Sequence, residues 1–187
     1  MKTRDLLLVI DLQNVYLPGE EWACPSMPEA VKNIAKIIDA GVAEKTIFTR
    51  FVSSPTPAGT WKRYNEENAK INGDVYLNDM AEGIKSYLNA GPVYDKSTYS
   101  SFRIPELLEE LKSMDRVLLT GVVAECCVLA TMMEAIDNGI HVVYLTDCVA
   151  GQSDQNEECI QKIAESFSPV HTEVMDSETY LRQRNTD

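Results

Sequence analysis

Three kinds of side chain that could act together on a substrate each follow an apolar run of the sequence. Asp11 follows Leu-Leu-Leu-Val-Ile, Lys96 follows Pro-Val-Tyr-Asp, and Cys126 and Cys127 follow Leu-Leu-Thr-Gly-Val-Val-Ala-Glu. A thiol is a nucleophile, a carboxylate can accept its proton and an ammonium can balance the charge, so together they suit attack on a carbonyl carbon. Singly, Asp11 could bond the following turn, Lys96 could be a solvated lysine, and a buried cysteine is commonly a packing residue. The chemistry therefore requires a fold that brings the three groups together.

The elements expected to position these groups alternate between strand and helix. Short runs rich in Val, Ile and Leu are typical of strands buried on both faces, and amphipathic stretches lie between them. This alternation predicts an α/β fold whose mostly parallel sheet is covered by helices on both sides. The predicted strands are Leu6–Ile10, Thr46–Thr49, a weaker Pro92–Tyr94, Arg116–Thr120, Ile140–Leu145 and Val170–Val174. The predicted helices are Pro28–Asp39, Met80–Asn89, Pro105–Lys112, Cys127–Asn138 and Ser153–Ser166. Because the carboxyl ends of parallel strands share one edge, the carboxylate, ammonium and thiol can meet there.

The segment Val52–Gly91 interrupts this alternation and is rich in Ser, Pro and Gly at its start. Long irregular segments in compact domains commonly cover functional sites, and this one begins at the carboxyl end of a predicted strand. We expect it to cover a ligand site; an insertion without a role is the alternative. No repeat or linker divides the sequence, so residues 1–187 are expected to form one domain.

The composition limits the classes of partner. The chain has 17 Lys and Arg against 29 Asp and Glu, a formal net charge of -12, whereas nucleic acids and anionic membranes attract basic surfaces. The apolar run Leu6–Ile10 is too short to span a membrane and lacks the cleavage pattern of a signal peptide, so a cytoplasmic location is expected. The five cysteines are then expected to be free thiols, and the partner to be a small molecule.

Neither a cofactor nor a metal is expected. No glycine-rich phosphate-binding motif follows a predicted strand. The two histidines, His141 and His171, lie in predicted strand runs without a second ligand at metal-binding spacing. Both are therefore interpreted as hydrogen-bonded core residues.

Three strings resemble, in order and spacing, those of the isochorismatase-like cysteine hydrolases. They are VIDLQ at Val9–Gln13, KSTYSSF at Lys96–Phe102 and TGVVAECCV at Thr120–Val128. The resemblance extends from residue 6 to about residue 174 and implies a three-layer α/β/α fold with a six-stranded parallel sheet. Members of the family include nicotinamidases, carbamoylsarcosine-type and ureidoacrylate-type amidohydrolases, and isochorismatases proper. The resemblance also implies self-association into homo-oligomers.

Carried over to this chain, the resemblance implies a catalytic triad of Asp11, Lys96 and Cys127. It favours Cys127 over Cys126 because the family's nucleophile directly precedes a valine and lies six residues after a glycine, here Gly121. Cys126 is then interpreted as a packing residue. A thiol at a helix N-terminus beside an ammonium has a lowered pKa, whereas an adjacent carboxylate would raise it again but can accept the proton.

The resemblance further implies a cis peptide bond between Val122 and Val123, with the backbone N–H groups of Val123 and Cys127 as oxyanion donors. In this mechanism Asp11 takes the thiol proton, Cys127 attacks an amide carbonyl, and a water deprotonated by Asp11 cleaves the thioester.

The sequence departs from two branches of the family. Metal-dependent nicotinamidases carry an Asp and several His after the second strand, where this chain reads TRFVSS at residues 49–54. Isochorismatases proper cleave a vinyl ether without a thiol, so Cys127 favours amide chemistry instead. The vinyl-ether activity and a catalytically idle binding or assembly subunit remain open alternatives.

The residues that orient the substrate are expected near the carboxyl edge of the sheet. An aromatic side chain there is as often a packing or oligomer contact as a substrate contact. The candidates are Arg50, Phe51, Trp61 and Tyr99, with Trp22 in the loop after Asp11 as a further one.

Overall fold

The computed structural model describes residues 3–186, and at its centre lies a six-stranded sheet. The strands are β1 (Asp5–Ile10), β2 (Lys45–Phe51), β3 (Val93–Lys96), β4 (Arg116–Val122), β5 (His141–Ala150) and β6 (Thr172–Met175). Their order is β3-β2-β1-β4-β5-β6, and every neighbouring pair is parallel. The predicted α/β fold with a parallel sheet is confirmed, including the short third strand.

Helices cover both faces of the sheet. Within residues 3–186 the α-helices are α1 (Met27–Ala40), α2 (Trp61–Glu67), α3 (Ala69–Asn72), α4 (Val75–Asn78), α5 (Glu82–Lys85), α6 (Pro105–Leu111), α7 (Leu129–Asp137), α8 (Asp154–Ser166) and α9 (Ser177–Thr186). One core cluster joins the sheet to α1, α5 and α9, and a second joins its other face to α6, α7 and α8. Strand β1 serves both, since Leu7 and Val9 belong to the first cluster and Leu6 and Leu8 to the second. None of the helices in this part of the chain has the length and apolar character needed to cross a bilayer.

Local sequence signals set several of these helix boundaries. Helix α1 has Pro28 in its first turn, where a missing N–H costs nothing, and ends at Gly41, whose φ of 60° suits glycine. Helix α8 begins after Ser153, whose side chain accepts a hydrogen bond from the backbone N–H of Asn156.

Other boundaries differ from the sequence prediction. The helix predicted over Met80–Asn89 is instead α5 followed by a 3-10 turn at Leu88–Ala90. The reason is tertiary: the backbone N–H of Ala81 donates to the carbonyl of Leu12, which holds Ala81 extended, so that no helix can start before residue 82. Helix α9 was not predicted because its sequence is mostly polar, although Tyr180 within it is fully buried.

The two histidines are not core residues, contrary to the prediction. His171 is exposed and precedes β6. His141, the first residue of β5, is partly buried, with Nδ1 3.3 Å from the carbonyl oxygen of Val170. His141 begins β5 and His171 directly precedes β6, so both lie at the amino edge of the sheet and outside the buried part of the apolar runs.

Candidate active site

The side chains of Asp11, Lys96 and Cys127 lie together at the carboxyl edge of the sheet. The Lys96 Nζ atom is 2.6 Å from Asp11 Oδ2 and 3.3 Å from Cys127 Sγ. The three residues are 0%, 4% and 3% exposed, respectively. They follow β1, end β3 and follow β4, so the parallel sheet brings together groups that are far apart in the sequence.

The backbone at Asp11 directs its carboxylate into the site. Its φ of 54° lies in the left-handed region, which Asp tolerates better than most residues. Its backbone N–H donates to the carbonyl of Thr49 at 3.0 Å, and the Thr49 hydroxyl donates to Asp11 Oδ1 at 2.8 Å. One carboxylate oxygen is thus held by Thr49, and the other forms the ion pair with Lys96.

The Lys96 ammonium contacts four groups. Besides the carboxylate and the thiol, Nζ donates to the carbonyl of Thr98 at 3.1 Å and lies 5.5 Å from the centroid of the Phe51 ring. Burial lowers the pKa of Lys96, but the interactions of the ammonium with Asp11 and Cys127 outweigh it, and the pKa is raised above its ordinary value. Lys96 is therefore an ammonium at neutral pH.

The thiol of Cys127 lies on an irregular turn between β4 and α7. The chain passes through a cis peptide bond at Val122-Val123 into a π-helical turn at Ala124–Val128. The helix predicted to start at Cys127 therefore begins two residues later, at Leu129. Just before this turn, Gly121 has a φ of 106°, and a Cβ there would lie 2.1 Å from the carbonyl oxygen of Ile10. Only glycine lets β4 approach β1 closely enough at this point.

Burial dominates the acidity of the thiol. It raises the pKa of Cys127 far above the ordinary value, the Asp11 carboxylate raises it further, and the Lys96 ammonium offsets only part of this. The pKa lowering expected from a helix N-terminus and an ammonium is therefore outweighed, and the thiol is protonated at neutral pH. A nucleophilic attack by this sulfur needs a base, and Asp11 is the carboxylate beside it.

The thiol opens onto a cavity of about 250 Å³. Its lining is dominated by aromatic rings, and it comprises Tyr16, Trp22, Phe51, Tyr64, Asn68, Tyr99, Val123, Cys126, Cys127 and Gln152. None of these lining side chains is a carboxylate or a basic group. Among residues 3–186, no three His, Cys, Asp or Glu side chains are grouped so that they could hold a metal ion. The cavity suits a small, uncharged ligand.

A second cavity of about 450 Å³ lies next to the first and shares Tyr64 and Tyr99 with it. Trp61 lines this outer cavity, with its ring centroid 5.0 Å from that of Tyr99 and 5.2 Å from that of Tyr64. The segment Val52–Gly91 therefore contributes walls to both cavities, through α2 and Asn68. This is the geometry expected of a cover.

The residues expected to contact the substrate lie in different places in the structure. Phe51 and Tyr99 line the inner cavity, Trp61 lines the outer one, and Trp22 also reaches the inner one. Arg50 lines neither of these two cavities, contrary to the expectation.

Strand geometry explains the position of Arg50. Successive side chains of a strand point to opposite faces, so Phe51 faces the site and Arg50 does not. Its guanidinium instead donates to the Asp95 carboxylate on β3, at 2.8 Å from Nε and 2.9 Å from Nη2.

Several residues of the cavity wall were missed or misjudged from the sequence. Cys126, interpreted as packing, does pack against the core but also lines the cavity beside Cys127. Tyr16, Tyr64 and Asn68 carried no signal of their own. Gln152 lies two residues after the carboxyl end of β5 and was missed because the predicted strand ended at Leu145.

The family model for the Isochorismatase domain matches residues 5–178. This chain belongs to the isochorismatase-like hydrolase family. Its fold is similar to that of a cysteine hydrolase from Pseudomonas syringae pv. phaseolicola 1448A, with a TM-score of 0.83, 16% identity and coverage of 98% of this chain and 93% of that one. An isochorismatase family protein from Desulfovibrio vulgaris subsp. vulgaris str. Hildenborough gives a TM-score of 0.80 at 17% identity, covering 99% and 100%.

A third similar structure is the MAR1 ribonuclease from Caenorhabditis elegans, with a TM-score of 0.72, 24% identity and coverage of 96% and 80%. At these identities the similar structures show a common fold. A comparison with curated proteins gave no significant match for this isochorismatase-like hydrolase.

Proposed function

We propose that this protein is a metal-independent cysteine hydrolase that cleaves a C–N bond in a small amide, carbamoyl or ureido compound through a thioester on Cys127. One observation carries the proposal. The Lys96 ammonium contacts both the Asp11 carboxylate and the Cys127 thiol, and the thiol lines a cavity without charged side chains that is large enough for a small substrate. This is the set of groups that a covalent acyl-transfer mechanism needs.

The first half of the reaction forms the acyl-enzyme. Asp11 accepts the proton of the Cys127 thiol as the sulfur attacks the carbonyl carbon of the substrate. We assign the stabilisation of the resulting oxyanion to the backbone N–H groups of Val123 and Cys127. The neighbouring N–H groups of Cys126 and Val128 are already used, since both donate to the carbonyl of Val123. When the tetrahedral intermediate collapses, the C–N bond breaks, and protonated Asp11 gives its proton to the departing nitrogen.

The second half releases the acid product. Asp11, again a carboxylate, deprotonates a water molecule that attacks the thioester, and the proton returns to the sulfur as the C–S bond breaks. Lys96 remains an ammonium throughout and is the charge partner of whichever neighbour is negative. The net reaction consumes one water molecule and leaves all three residues in their starting state.

The residue types around the site support independence from a metal. Residues 49–51 are the last of β2, and residues 52–54 follow it. None of these six is a His, Asp or Glu that could bind a metal beside the cavity. The base is instead the buried carboxylate of Asp11, which reaches the thiol without a bridging ion.

Ribonuclease activity is not proposed, although one of the similar structures is described as a ribonuclease. The formal net charge of -12 repels a polyanion, and the residues lining the inner cavity offer no Lys or Arg for a phosphate.

Self-association into homo-oligomers and a cytoplasmic location also remain predictions. Light scattering on the purified protein checks the first of them.

The decisive experiment compares two adjacent thiols of the same cavity. A panel of small amides, carbamoyl and ureido compounds is screened for ammonia or amine release, and the best substrate is then tested on Cys127→Ala and Cys126→Ala. We expect Cys127→Ala to lose activity by at least about 10³-fold, because it loses the nucleophile, and Cys126→Ala to stay within a few-fold of the wild type. Mass spectrometry of the quenched reaction should find the acyl group on Cys127.

Other outcomes identify the alternatives. Amide hydrolysis that survives Cys127→Ala would contradict a thioester mechanism. Cleavage of a vinyl ether that survives the same substitution would favour ether hydrolysis by the acid–base residues. A protein that hydrolyses no member of the panel, and whose five thiols react equally slowly with iodoacetamide, would instead be a catalytically idle binding or assembly subunit.

A further inference from the structure

The hydroxyl of Thr131 joins the two halves of the candidate site. Its Oγ1 atom donates to the backbone carbonyl of Cys127 at 2.6 Å and accepts a hydrogen bond from the backbone N–H of Ser101 at 3.0 Å. Thr131 and Ser101 are both fully buried. A single hydroxyl, shielded from water, therefore connects the turn that carries the nucleophile to the segment that follows Lys96.

The segment on the other side of this hydroxyl holds the ammonium. Ser101 begins a 3-10 turn, Ser101–Arg103, five residues after Lys96. Between them lies Thr98, whose carbonyl accepts a hydrogen bond from Lys96 Nζ at 3.1 Å. The loop that leads to Ser101 thus provides one of the hydrogen bonds that position the ammonium.

The bond to Cys127 also suits the irregular turn. A threonine hydroxyl that bonds the carbonyl four residues earlier competes with regular helical hydrogen bonding and tends to bend the helix. Here that carbonyl lies at the passage from the π-helical turn into α7, and π-helical turns are frequently found at functional sites. The hydroxyl holds the carbonyl of the very residue whose thiol faces the cavity.

We propose that Thr131 is a positioning residue that fixes the distance between the Lys96 ammonium and the Cys127 sulfur. This inference rests on the proposed function, in which that ammonium stabilises the thiolate. Thr131 does not line either cavity, so it acts only through its two neighbours. Without the hydroxyl, a buried carbonyl and a buried N–H lose their common partner, and the two segments lose the bond that holds them in register.

The chain contains a matched control for this inference. Thr172, on β6, is also fully buried, and its hydroxyl donates to the carbonyl of Ala164 at 2.6 Å. It lies at the far edge of the sheet, three strands from β1. Thr131→Val and Thr172→Val both remove a buried hydroxyl that donates to a backbone carbonyl, and only Thr131→Val also removes the acceptor for the Ser101 N–H beside the site.

The experiment measures the rate at which iodoacetamide alkylates Cys127 in the full-length protein, followed by peptide mass spectrometry. The exposed Cys159 of each molecule serves as the internal standard. We expect Thr131→Val to slow alkylation of Cys127 by about 10-fold, because a misplaced ammonium stabilises the thiolate less well. In Thr131→Ser, which keeps the hydroxyl, the alkylation rate of Cys127 should remain within about two-fold of the wild-type rate. In Thr172→Val the alkylation rate should equal that of the wild type, although the melting temperature should fall by about as much as in Thr131→Val.

Two results would overturn the inference. One is an unchanged Cys127 rate in Thr131→Val. The other is equal slowing in Thr172→Val, which would mean that loss of stability alone is responsible. Asp11→Asn, assayed in parallel for turnover of the best amide substrate, tests the proposed function separately: if turnover is retained, Asp11 is not the base, whatever Thr131 does.

Discussion

Replacing Asp11 and Lys96, first singly and then together, should show that the two residues stabilise the folded protein as an ion pair. Losing one of them should destabilise the fold more than losing both. Their charged atoms are 2.6 Å apart, with side chains 0% and 1% exposed. We choose Asp11→Asn because asparagine tolerates the left-handed φ of 54° at this position, so the charge changes while the backbone does not. Lys96→Met removes the ammonium and keeps an unbranched side chain.

The expected magnitudes follow from this geometry. At 2.6 Å and an effective dielectric constant of about 20, the pair attracts by about 6 kcal/mol, most of which offsets the loss of hydration of the two groups. Removing one partner leaves a buried charge without compensation and should lower the free energy of unfolding by about 3 to 5 kcal/mol. The double variant has no buried charge here and should lose only about 1 to 2 kcal/mol, which corresponds to a coupling energy of at least about 4 kcal/mol.

Urea denaturation followed by circular dichroism at pH 7 gives the four free energies of the cycle. The control cycle uses Arg50 and Asp95, a pair with similar hydrogen-bond distances but with side chains 37% and 50% exposed. We expect its coupling energy to stay below about 1 kcal/mol, because water screens exposed pairs. The variant Arg50→Met should also keep its catalytic activity, since Arg50 contacts neither cavity.

The reasoning is refuted if the two single substitutions at Asp11 and Lys96 are additive, with a coupling energy within the range of the exposed control. It is also refuted if the double variant recovers activity along with stability, because the proposed mechanism needs Asp11 as the base. Recovery of stability without recovery of activity is the expected outcome.

Three further predictions concern the backbone, the thiols and the cover. Gly121→Ala should lower the free energy of unfolding by about 3 kcal/mol or more in urea denaturation, since its Cβ would meet the carbonyl of Ile10, whereas Gly139→Ala, with a φ of 72° and open space, should cost about 1 kcal/mol. Burial raises the pKa of four thiols and raises it furthest in three of them, so these three stay protonated in the folded protein while the unfolded chain ionises them above about pH 8.5. The three thiols are those of Cys24, Cys127 and Cys148. The stability that these protonated thiols contribute is therefore complete below that pH and is lost as the pH rises. The free energy of unfolding should fall with a slope that approaches about 4 kcal/mol per pH unit near pH 10. Equal free energies of unfolding at about pH 7 and pH 10, measured by denaturation, would contradict this. Trp61→Ala should raise KM for amides too large for the inner cavity and leave KM unchanged for those that fit within about 250 Å³, which steady-state kinetics on a size series can test.

The order of elements could be predicted because β strands buried on both faces leave an unmistakable pattern. Strand β1 is apolar at every position from Leu6 to Ile10, since each of its faces packs against a helical layer. Where burial depends on distant contacts, the pattern failed. Strand β5 extends past Leu145 to Ala150, although the polar Thr146 and Asp147 interrupt its apolar run.

The meeting of the carboxylate, ammonium and thiol could be predicted from topology alone. The carboxyl ends of parallel strands share one edge, so polar residues at the ends of nearby strands can meet there. The walls of the cavity could not be predicted in this way. Tyr64 and Asn68 belong to α2 and the residue after it, in a segment whose path over the site depends on tertiary bonds, such as the hydrogen bonds from Gln13 Nε2 to the carbonyls of Phe51 and Asn78.

The acidity of the thiol was the part of the site that residue types alone predicted least well. Lys96 favours a thiolate, but burial and the Asp11 carboxylate raise the pKa of the thiol by more than the ammonium lowers it. The resting site therefore contains a carboxylate, an ammonium and a neutral thiol, with a net charge of zero. If the proton of Cys127 moves to Asp11, the site contains a carboxylic acid, an ammonium and a thiolate, and the net charge is still zero.

This conservation of charge explains how a buried site could use a base as weak as a carboxylate. Full ionisation of the thiol to water would leave an additional charge in a region with almost no solvent, which is costly. Transfer to Asp11 only moves a negative charge from one neighbour of Lys96 to another, from a contact of 2.6 Å to one of 3.3 Å. The ammonium contacts both the sulfur that gives up the proton and the carboxylate that accepts it. Its position therefore decides the energy difference between the state with a neutral thiol and the state with a thiolate. A displacement of Lys96 should therefore slow the reaction even when all three residues are present.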